Sequence, residues 1–508
     1  MPPSSYSYLS HISAMNRSEV LGAFNKWKWP VAGVAAAFVG SLYSLGFTQT
    51  FHLYAAGDGH NGKDVSGSFG VRGLLKKLIH DFLQNGQGPD KPPLSPSEAS
   101  RIIRRNERRV DVNVGNVLYY DSNILPSNEP TEDRNAECEM LSSNGTLFSV
   151  IDGHGGYHCA EAVKKRLPLY VALALLKETD LTQFEKEIVE DLLISRFSDK
   201  SGPKTSVAND SSSDNDLSKK QDVFHTGPKY MVQALQARLE NGCRLSMDEA
   251  LSFAFTHLDD DIVTEAIPVK VLDDSFLAGA SGACTIAAYI EGDQLLVANA
   301  GDCRAVLGSV NGDGSWVATP LSADQTANSR EEFQRVWSQH PGEEATVIKN
   351  GRLLGQLQPL RAFGDIQYKW DRVTHNHILT QVYGGPIVPP HVYKSPPYLT
   401  AEPVVTKRQL RSKDRFLILA TDGLWDSMSS DKAVELVGQF VNGAGRKSDV
   451  LEHNAASHLI RHAIGGNDHH FVAQMLLVPD QYRRMWRDDI TVTVVFFNSE
   501  EVKISSQL

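Results

Sequence analysis

Cysteine is scarce in this chain, and the few cysteines present are scattered. The five among 508 residues are Cys138, Cys159, Cys243, Cys284 and Cys303, and no two of them have the Cys-x-x-Cys spacing. Common zinc sites need such pairs, and the disulfide framework of a secreted protein needs an even, regular set. The pattern therefore argues against both and indicates reduced thiols in a reducing compartment.

Positive charge is also in deficit. The chain has 50 Lys and Arg against 61 Asp and Glu, which gives a formal net charge of −11 at pH 7. This balance argues against a general nucleic-acid-binding protein. Apolar residues make up 41% of the chain and charged residues 22%. Such a composition can bury a sizeable core, either in two or three average domains or in one large domain.

Long hydrophobic runs are nearly absent, and the clearest is residues 31–47, VAGVAAAFVGSLYSLGF. It is at the short end of the length that spans a bilayer. Residues 1–29 are rich in Ser and Tyr and carry three basic residues but only one acid, Glu19. We therefore predict a mitochondrial targeting segment over residues 1–50, with 31–47 as an attachment to the inner membrane or as part of the removed leader. A secretory signal shares this order, but the cysteine pattern argues against export.

Composition divides the rest of the chain. We predict a linker and helical extension over 51–109, a folded domain over 110–498 with a disordered Ser/Asp-rich insertion at 200–220, and a tail over 499–508. A capping-box spacing at Ser95–Glu98 predicts a helix that runs on into several arginines. The tail ends in Ser-Gln-Leu, one residue from a peroxisomal signal, so the peroxisome is a minor alternative to the mitochondrial matrix or inner membrane.

A short apolar strand that ends on a carboxylate is central to the folded domain. Thr146 to Asp152 reads as a buried strand, and a glycine-rich turn with His154 separates it from a helix that begins near Tyr157. This arrangement would place a carboxylate, a carbonyl group and a histidine side by side, which suits a hard cation and a proton donor. Asp-Gly alone is also a common turn, so the chemistry depends on the rest of the chain.

The same device recurs along the chain. Apolar β-compatible runs end at Asp302 and at Asp422, with Asp426 one turn further, and Asp488 opens the run ITVTVVFFN. Strand and helix patterns are segregated without regular βαβ alternation, so we predict an α+β fold with antiparallel sheets. Carboxylates gathered at strand ends raise one another's pKa unless a cation intervenes. Oxygen ligands suit Mg²⁺ or Mn²⁺, and two such ions can activate water for phosphoryl transfer.

The order of the motifs ED, DGHGG, SGACT, NAGDCRA, RAFGD, ATDGLWD and RDDITV resembles that of the PPM (PP2C-type) metal-dependent protein serine/threonine phosphatases. The resemblance extends from about residue 110 to 498. Longer pieces, among them DSNILPSNEPTEDR, PPYLTAEP and NAASHLIRHAIG, resemble the pyruvate dehydrogenase phosphatase branch. The resemblance implies two antiparallel β-sheets in a sandwich flanked by helices, with two metal ions, Mg²⁺ or Mn²⁺, at one sheet edge and a weaker third.

The resemblance also implies roles for individual residues. Asp152 would bridge the two ions, Glu132 and Asp133 would act mostly through bound water, and His154 would be the general acid. Asp302 and Asp426, with Asp422, match the third site. The implied ligands are Asp152, Gly153 (through its carbonyl oxygen), Asp422, Asp488, Glu132, Asp133, Asp302 and Asp426, and the implied catalytic groups are His154, Asp133 and Asp152.

The sequence departs from the family pattern at two positions. Many members have a phosphate-holding arginine four residues before the Glu of the ED pair, where this chain has Asn128. We assign this phosphate-binding position to Asn128 and expect that another group, such as an arginine within 101–109, completes it. The usual Asp-Asn pair near the C-terminus is Asp488-Asp489 here, so Asp488 is expected to bind metal and Asp489 to support it.

The resemblance implies a mitochondrial phosphatase that acts on the E1α subunit of pyruvate dehydrogenase and reactivates the complex. It also implies docking to a lipoyl domain of the E2 core, for which the Pro-, His- and Tyr-rich segment 371–400 has the composition of a recognition loop or of a plain surface loop. Two alternatives stay open at this point. One is a PPM phosphatase of another organellar phosphoprotein, and the other is an inactive phosphatase-like binding module.

Overall fold

The computed structural model describes residues 94–141, 143–176, 194–197, 233–235, 237–238, 245–267, 273–379, 382, 392–443 and 454–498. The predicted targeting segment, the linker before residue 94, the insertion at 200–220 and the tail therefore lie outside the described residues. The described part of the chain contains no helix that is both long and apolar enough to cross a membrane.

The described residues contain 15 β-strands, all paired in antiparallel fashion. In chain order they are β1 (Arg108–Val114), β2 (Val117–Leu125), β3 (Arg134–Met140), β4 (Gly145–His154), β5 (Ile194–Arg196), β6 (Gly282–Glu291), β7 (Gln294–Ala300), β8 (Arg304–Val310), β9 (Trp316–Pro320), β10 (Ile348–Lys349), β11 (Arg352–Leu353), β12 (Phe363–Gly364), β13 (Val404–Gln409), β14 (Asp414–Ala420) and β15 (Ile490–Phe497).

One helix precedes the strands in the sequence, and the others lie between strands. They are α1 (Pro96–Ile103), α2 (His158–Ala174), α3 (Met247–Glu265), α4 (Asp274–Ala280), α5 (Arg330–Gln339), α6 (Arg372–Thr374), α7 (Asp422–Trp425), α8 (Ser430–Val441), α9 (Ala455–Ala463), α10 (His469–Leu477) and α11 (Asp480–Arg483). Single 3₁₀ turns cover Arg104–Asn106 and Ile366–Tyr368, and a π-helical turn covers His375–Leu379.

Thirteen of the strands form two sheets that pack face to face, and β10 and β11 form a separate two-stranded sheet. One has the order β1-β2-β15-β14-β8-β9, and the other has the order β13-β7-β6-β4-β3-β5 with β12 added beside β6. All pairs in both sheets are antiparallel. The predicted α+β class with two antiparallel sheets flanked by helices is confirmed.

Each central strand is buried on both faces, which explains its continuous apolar sequence. In β4, Phe148 and Val150 face the core between the sheets, whereas Leu147 and Ile151 face the core under α2 and α3. Strand β14 behaves in the same way toward α8 and α9 on the opposite side of the sandwich. Side chains alternate along a strand, so only a strand covered on both sides needs an unbroken apolar run.

Helix α1 ends earlier than the arginine-rich sequence predicts. Helix α1 begins with the predicted capping box, in which Ser95 and Glu98 bond reciprocally to each other's backbone. The helix ends at Ile103, however, and β1 already begins at Arg108. The arginine-rich stretch leaves the helix because Arg109 is needed opposite Asp121, the residue it faces across the β1–β2 pair.

Candidate active site

Three carboxylates meet where strand ends from the two sheets come together. Asp152 lies near the end of β4, Asp302 follows β7, and Asp422 follows β14. One oxygen from each of the three side chains can be chosen so that all three lie within 4.8 Å of one another. The sequence prediction that strand-end aspartates assemble at one edge therefore holds for these three residues.

Burial and mutual repulsion raise the pKa values of the assembled carboxyl groups. Burial is the largest cause for Asp152, and the charges of Asp422, Asp133 and Asp488 add to it, so its pKa lies well above the ordinary value. Burial and the charge of Asp302 raise the pKa of Asp422 in the same way. Full ionisation of such a cluster is energetically favourable only when positive charge is bound beside it.

Gly153 lets the strand approach the loop that carries the ED pair. A Cβ atom built at residue 153 would lie 2.4 Å from the carbonyl oxygen of Glu132, so any side chain there would force the two segments apart. The close approach brings Glu132 beside the glycine-rich turn, where its Oε1 atom accepts a 2.6 Å hydrogen bond from the Gly156 backbone N–H. The DGHGG motif thus needs glycine at this position for packing.

Asp133 lies deeper, between the sheets. Its Oδ2 atom accepts hydrogen bonds from the hydroxyl groups of Thr421, at 3.1 Å, and Thr491, at 2.7 Å. Its side chain is almost wholly buried, and burial together with the charge of Asp489 raises its pKa well above the ordinary value. The two threonines orient one carboxylate oxygen, which leaves the other available to the cluster.

Asp489 holds the loop that precedes β3. Its Oδ1 atom accepts hydrogen bonds from the backbone N–H groups of Ser127 and Asn128, and its Oδ2 atom accepts one from the backbone N–H of Glu132 at 2.8 Å. The side-chain amide of Asn128 donates at 3.2 Å both to Glu132 and to Asp489. The predicted phosphate-binding group, Asn128, therefore has its amide directed at carboxylates.

Asp488 lies beside the three-carboxylate group but outside it. Its Oδ1 atom accepts a 2.8 Å hydrogen bond from the Asp489 backbone N–H, and its Oδ2 atom forms an ion pair with Nη1 of Arg484. It is nevertheless close enough for its charge to raise the pKa values of both Asp152 and Asp422. Asp426 follows α7, and its charge also raises the pKa of Asp422.

His154 is paired with a carboxylate from a distant part of the chain. Its Nε2 atom lies 2.6 Å from Oδ2 of Asp365, which is almost fully buried. Burial lowers the pKa of His154, but the charge and hydrogen bond of Asp365, with smaller contributions from Asp302 and Glu132, raise it above the ordinary value. A Cβ atom at Gly282 would lie only 2.2 Å from His154 Nε2, so the SGACT motif leaves room for this pair.

The turn that presents Asp365 is itself fixed by buried charge. Asp365 has a left-handed backbone with φ +54°, and its N–H donates to the Ser281 carbonyl oxygen at 2.9 Å. The preceding residue, Gly364, donates its N–H to Asp259, which also forms a 2.6 Å ion pair with Lys369. These contacts hold the carboxylate of Asp365 against His154.

Sequence reasoning did not assign functions to Asp365 or Arg484. Asp365 is part of the RAFGD motif, for which the sequence alone indicates no role, and its role becomes visible only from its contact with His154. Arg484 stands four residues before a predicted metal ligand, which is the spacing of a helical ion pair and was the available signal. Two of the candidate arginines of 101–109 are engaged elsewhere, since Arg104 pairs with Glu107 and Arg109 with the buried Asp121.

The donor set fits hard divalent cations. Every side chain in the cluster offers carboxylate oxygen, the Gly153 carbonyl lies next to Asp152 in the chain, and the described residues place neither a cysteine sulfur nor a histidine nitrogen in the three-residue group. Mg²⁺ and Mn²⁺ prefer carboxylates, carbonyls and water, whereas zinc sites favour nitrogen and sulfur.

Comparison with known proteins agrees with this geometry. The sequence profile described as "Protein phosphatase 2C" matches residues 221–469. The chain is 38% identical over 459 residues to the human mitochondrial pyruvate dehydrogenase phosphatase 2, and the match covers 80% of this chain and 84% of the relative. It is 36% identical over 468 residues to the rat mitochondrial pyruvate dehydrogenase phosphatase 1, and this match covers 82% of this chain and 85% of the relative.

A third relative carries only the family name. The chain is 32% identical over 446 residues to a protein phosphatase 2C homolog of Schizosaccharomyces pombe, covering 80% of this chain and 87% of the relative. These identities span most of each chain. The chain belongs to the protein phosphatase 2C family of metal-dependent protein serine/threonine phosphatases.

Proposed function

We propose that this chain removes phosphate from phosphoserine on the E1α subunit of pyruvate dehydrogenase in mitochondria and so reactivates that complex. The observation that carries the proposal is the 36–38% identity to mitochondrial pyruvate dehydrogenase phosphatases over about 80% of the chain. The carboxylate cluster supports phosphomonoester hydrolysis as the reaction, because its donors suit the cations that clamp a phosphoryl group.

We further propose two Mg²⁺ or Mn²⁺ ions per site and a weaker third. Asp152 would bridge the pair, with the Gly153 carbonyl, Asp422 and Asp488 as direct ligands. Glu132 and Asp133 would hold metal-bound water, and Asp302 and Asp426 would serve the third ion together with Asp422. When bound, the cations lower the pKa of water and polarise the phosphoryl group.

The chain's own groups handle the proton and the orientation of the reactants. His154 donates a proton to the serine oxygen as that oxygen leaves. Before the reaction His154 is kept protonated because Asp365 stabilises the imidazolium form. Asp489 keeps the Asn128–Glu132 loop in register with the glycine-rich turn through its contacts with backbone N–H groups. Asn128 holds Glu132 in position through its side-chain amide.

Localisation and attachment follow from the N-terminal sequence. We place the protein in the mitochondrion, either in the matrix or at the inner membrane through residues 31–47, and we keep the peroxisome as the minor alternative. The composition of residues 1–29 and the names of the relatives, which are mitochondrial, support this placement.

Removal of residues 1–50 should leave turnover unchanged and prevent delivery to mitochondria. The residues of the candidate site all lie after residue 127, and the removed segment has the composition of a mitochondrial targeting sequence. Phosphatase activity of the purified truncated protein and its distribution in cell fractions measure the two effects. A truncated protein that still reached mitochondria would show that the address lies elsewhere in the chain.

Docking to a lipoyl domain of the E2 core would bring the enzyme close to E1 that is bound on the same core. Such tethering raises the effective substrate concentration without any new contact at the active site. The segment 371–400 is the candidate recognition loop, and its described residues include Val373, whose side chain is among the most exposed apolar groups of the described chain.

The test compares initial rates on three substrates with Mg²⁺ present: phosphorylated E1 alone, phosphorylated E1 bound to the E2 core, and an unrelated phosphoserine protein. We expect E1 to be preferred over the unrelated protein, and E1 on E2 to be dephosphorylated faster than E1 alone. Equal rates on E1 and the unrelated protein would refute the substrate but keep the phosphatase activity. A preference for E1 without any gain from E2 would refute the docking alone.

A further inference from the structure

Among the described residues, Arg484 is a cation at the margin of the carboxylate cluster. It directly follows α11, and its Nη1 atom contacts Oδ2 of Asp488. Its side chain remains 53% exposed, so only part of its five-donor guanidinium is used by this ion pair. The remaining donors are therefore accessible from solvent at the margin of the site.

The guanidinium group interacts with carboxylates from both sheets. Partial burial lowers the pKa of Arg484, but the charges of Asp488, Asp422 and Asp152 outweigh this effect and raise it. The same positive charge opposes the burial that raises the pKa of Glu132, which lies in the loop before β3. Arg484 therefore lies near the point where the predicted metal ligands of the two sheets meet.

Most donors of the neighbouring polar groups in the described structure are already engaged, although the buried Nε atom of Arg487 has no hydrogen-bond partner. Arg134 is held by Glu161 and by backbone carbonyls, and Arg487 donates to the carbonyl oxygens of Leu125 and Pro126. The amide of Asn128 donates to two carboxylates. Arg484 differs from the two arginines because its carboxylate partner, Asp488, is an expected metal ligand, and it differs from Asn128 because it carries a positive charge.

Metal binding would change what Arg484 pairs with. Divalent cations at the cluster would neutralise Asp488, and the guanidinium would then stand beside additional positive charge. Like charges at close range are unfavourable unless an anion joins them, and a phosphate dianion is the anion that this reaction supplies. Guanidinium forms two parallel hydrogen bonds to phosphate oxygens with good geometry.

We propose that Arg484 binds the non-reacting oxygens of the substrate phosphate and exchanges Asp488 for that phosphate when the metal ions bind. The proposal rests on the phosphatase function described above but not on the identity of the protein substrate. It assigns the phosphate-binding charge of this site to a residue near the C-terminal end of the domain rather than to the loop that contains Asn128.

The test uses Arg484→Gln, which removes the charge, and Arg484→Lys, which keeps the charge but loses the planar fork. Arg483→Gln is the matched control, because Arg483 is the neighbouring arginine and pairs with Asp480 rather than with the cluster. Steady-state kinetics with Mn²⁺ are measured on p-nitrophenyl phosphate and a phosphoserine peptide, with inorganic phosphate as product inhibitor. Calorimetry measures binding of inorganic phosphate to the Mn²⁺-loaded proteins and, separately, binding of Mn²⁺ alone.

For Arg484→Gln we expect KM and the inhibition constant of phosphate to rise together by roughly 10- to 100-fold, the range of a lost charge-assisted hydrogen bond. Arg484→Lys should lose less, and Arg483→Gln should match the wild type. Mn²⁺ alone should bind Arg484→Gln at least as tightly as wild type, because a competing cation has been removed from Asp488.

Two results would overturn the proposal. Unchanged phosphate binding with a reduced kcat would give Arg484 no contact with phosphate, and weakened Mn²⁺ binding would make it a support for Asp488 instead. Because p-nitrophenyl phosphate carries no protein determinant, neither result depends on whether E1 is the substrate. Direct calorimetry of phosphate also separates this question from hydrolysis, so an inactive wild-type protein would refute the phosphatase function and still report on Arg484.

Discussion

Asp152→Asn is expected to reduce turnover by about 10³-fold or more while the fold stays intact. The substitution removes one negative charge at the position where carboxylates from both sheets converge, and metal-ion stabilisation of the transition state is worth several kcal/mol. The fold should persist because the wild-type cluster already contains repelling buried charges, which the neutral amide relieves. Asp422→Asn should behave in the same way, since Asp422 closes the cluster from the other sheet.

The matched control for this pair is Asp431→Asn, in an exposed first-turn position of α8. Rates on a phosphopeptide and the thermal midpoint are measured across a titration with Mn²⁺. A ligand that binds the folded state stabilises it more the more tightly it binds. Mn²⁺ should therefore raise the thermal midpoint of the wild type and of Asp431→Asn, and it should raise that of Asp152→Asn much less. A near wild-type rate of Asp152→Asn at moderate Mg²⁺ would contradict the two-metal interpretation.

The strands that present the metal ligands could be predicted because each carries its own local signal. Strands β4 and β14 are apolar runs covered on both faces; β4 carries Asp152 near its end, and β14 is followed by Asp422. The antiparallel order of the sheets then brings such ends to one edge. The sequence pattern therefore predicted Asp152, Asp302 and Asp422 as neighbours, although it contained no information about the distances between them.

The contacts that complete the site could not be predicted, because they join residues far apart in the chain. His154 and Asp365 are separated by 211 positions, and Asp489 reaches back 361 positions to Asn128. No local periodicity records such a pairing. The end of α1 was misjudged for a related reason, since the demand for Arg109 opposite Asp121 in the β1–β2 pair outweighs the helical propensity of the arginine-rich run.

His154→Ala should slow hydrolysis of a phosphoserine peptide far more than that of p-nitrophenyl phosphate. A general acid is typically worth roughly 10²- to 10⁴-fold, and its contribution is largest when the leaving oxygen is basic, as in serine. Nitrophenolate leaves without a proton, so its rate should be affected much less. His470→Ala, at an exposed position on α10, is the control for histidine removal.

The pH dependence provides a second measurement on the same group. Asp365 raises the pKa of His154 by stabilising the imidazolium form, so Asp365→Asn should lower that pKa. His154 then loses the proton needed by the leaving serine at a lower pH. The alkaline limb of the pH–rate profile should therefore shift to lower pH for the phosphoserine peptide. For p-nitrophenyl phosphate the same substitution should have little effect on that limb. Equal losses on both substrates in His154→Ala, or an unmoved limb in Asp365→Asn, would remove His154 from the acid role and leave it a structural partner of Asp365.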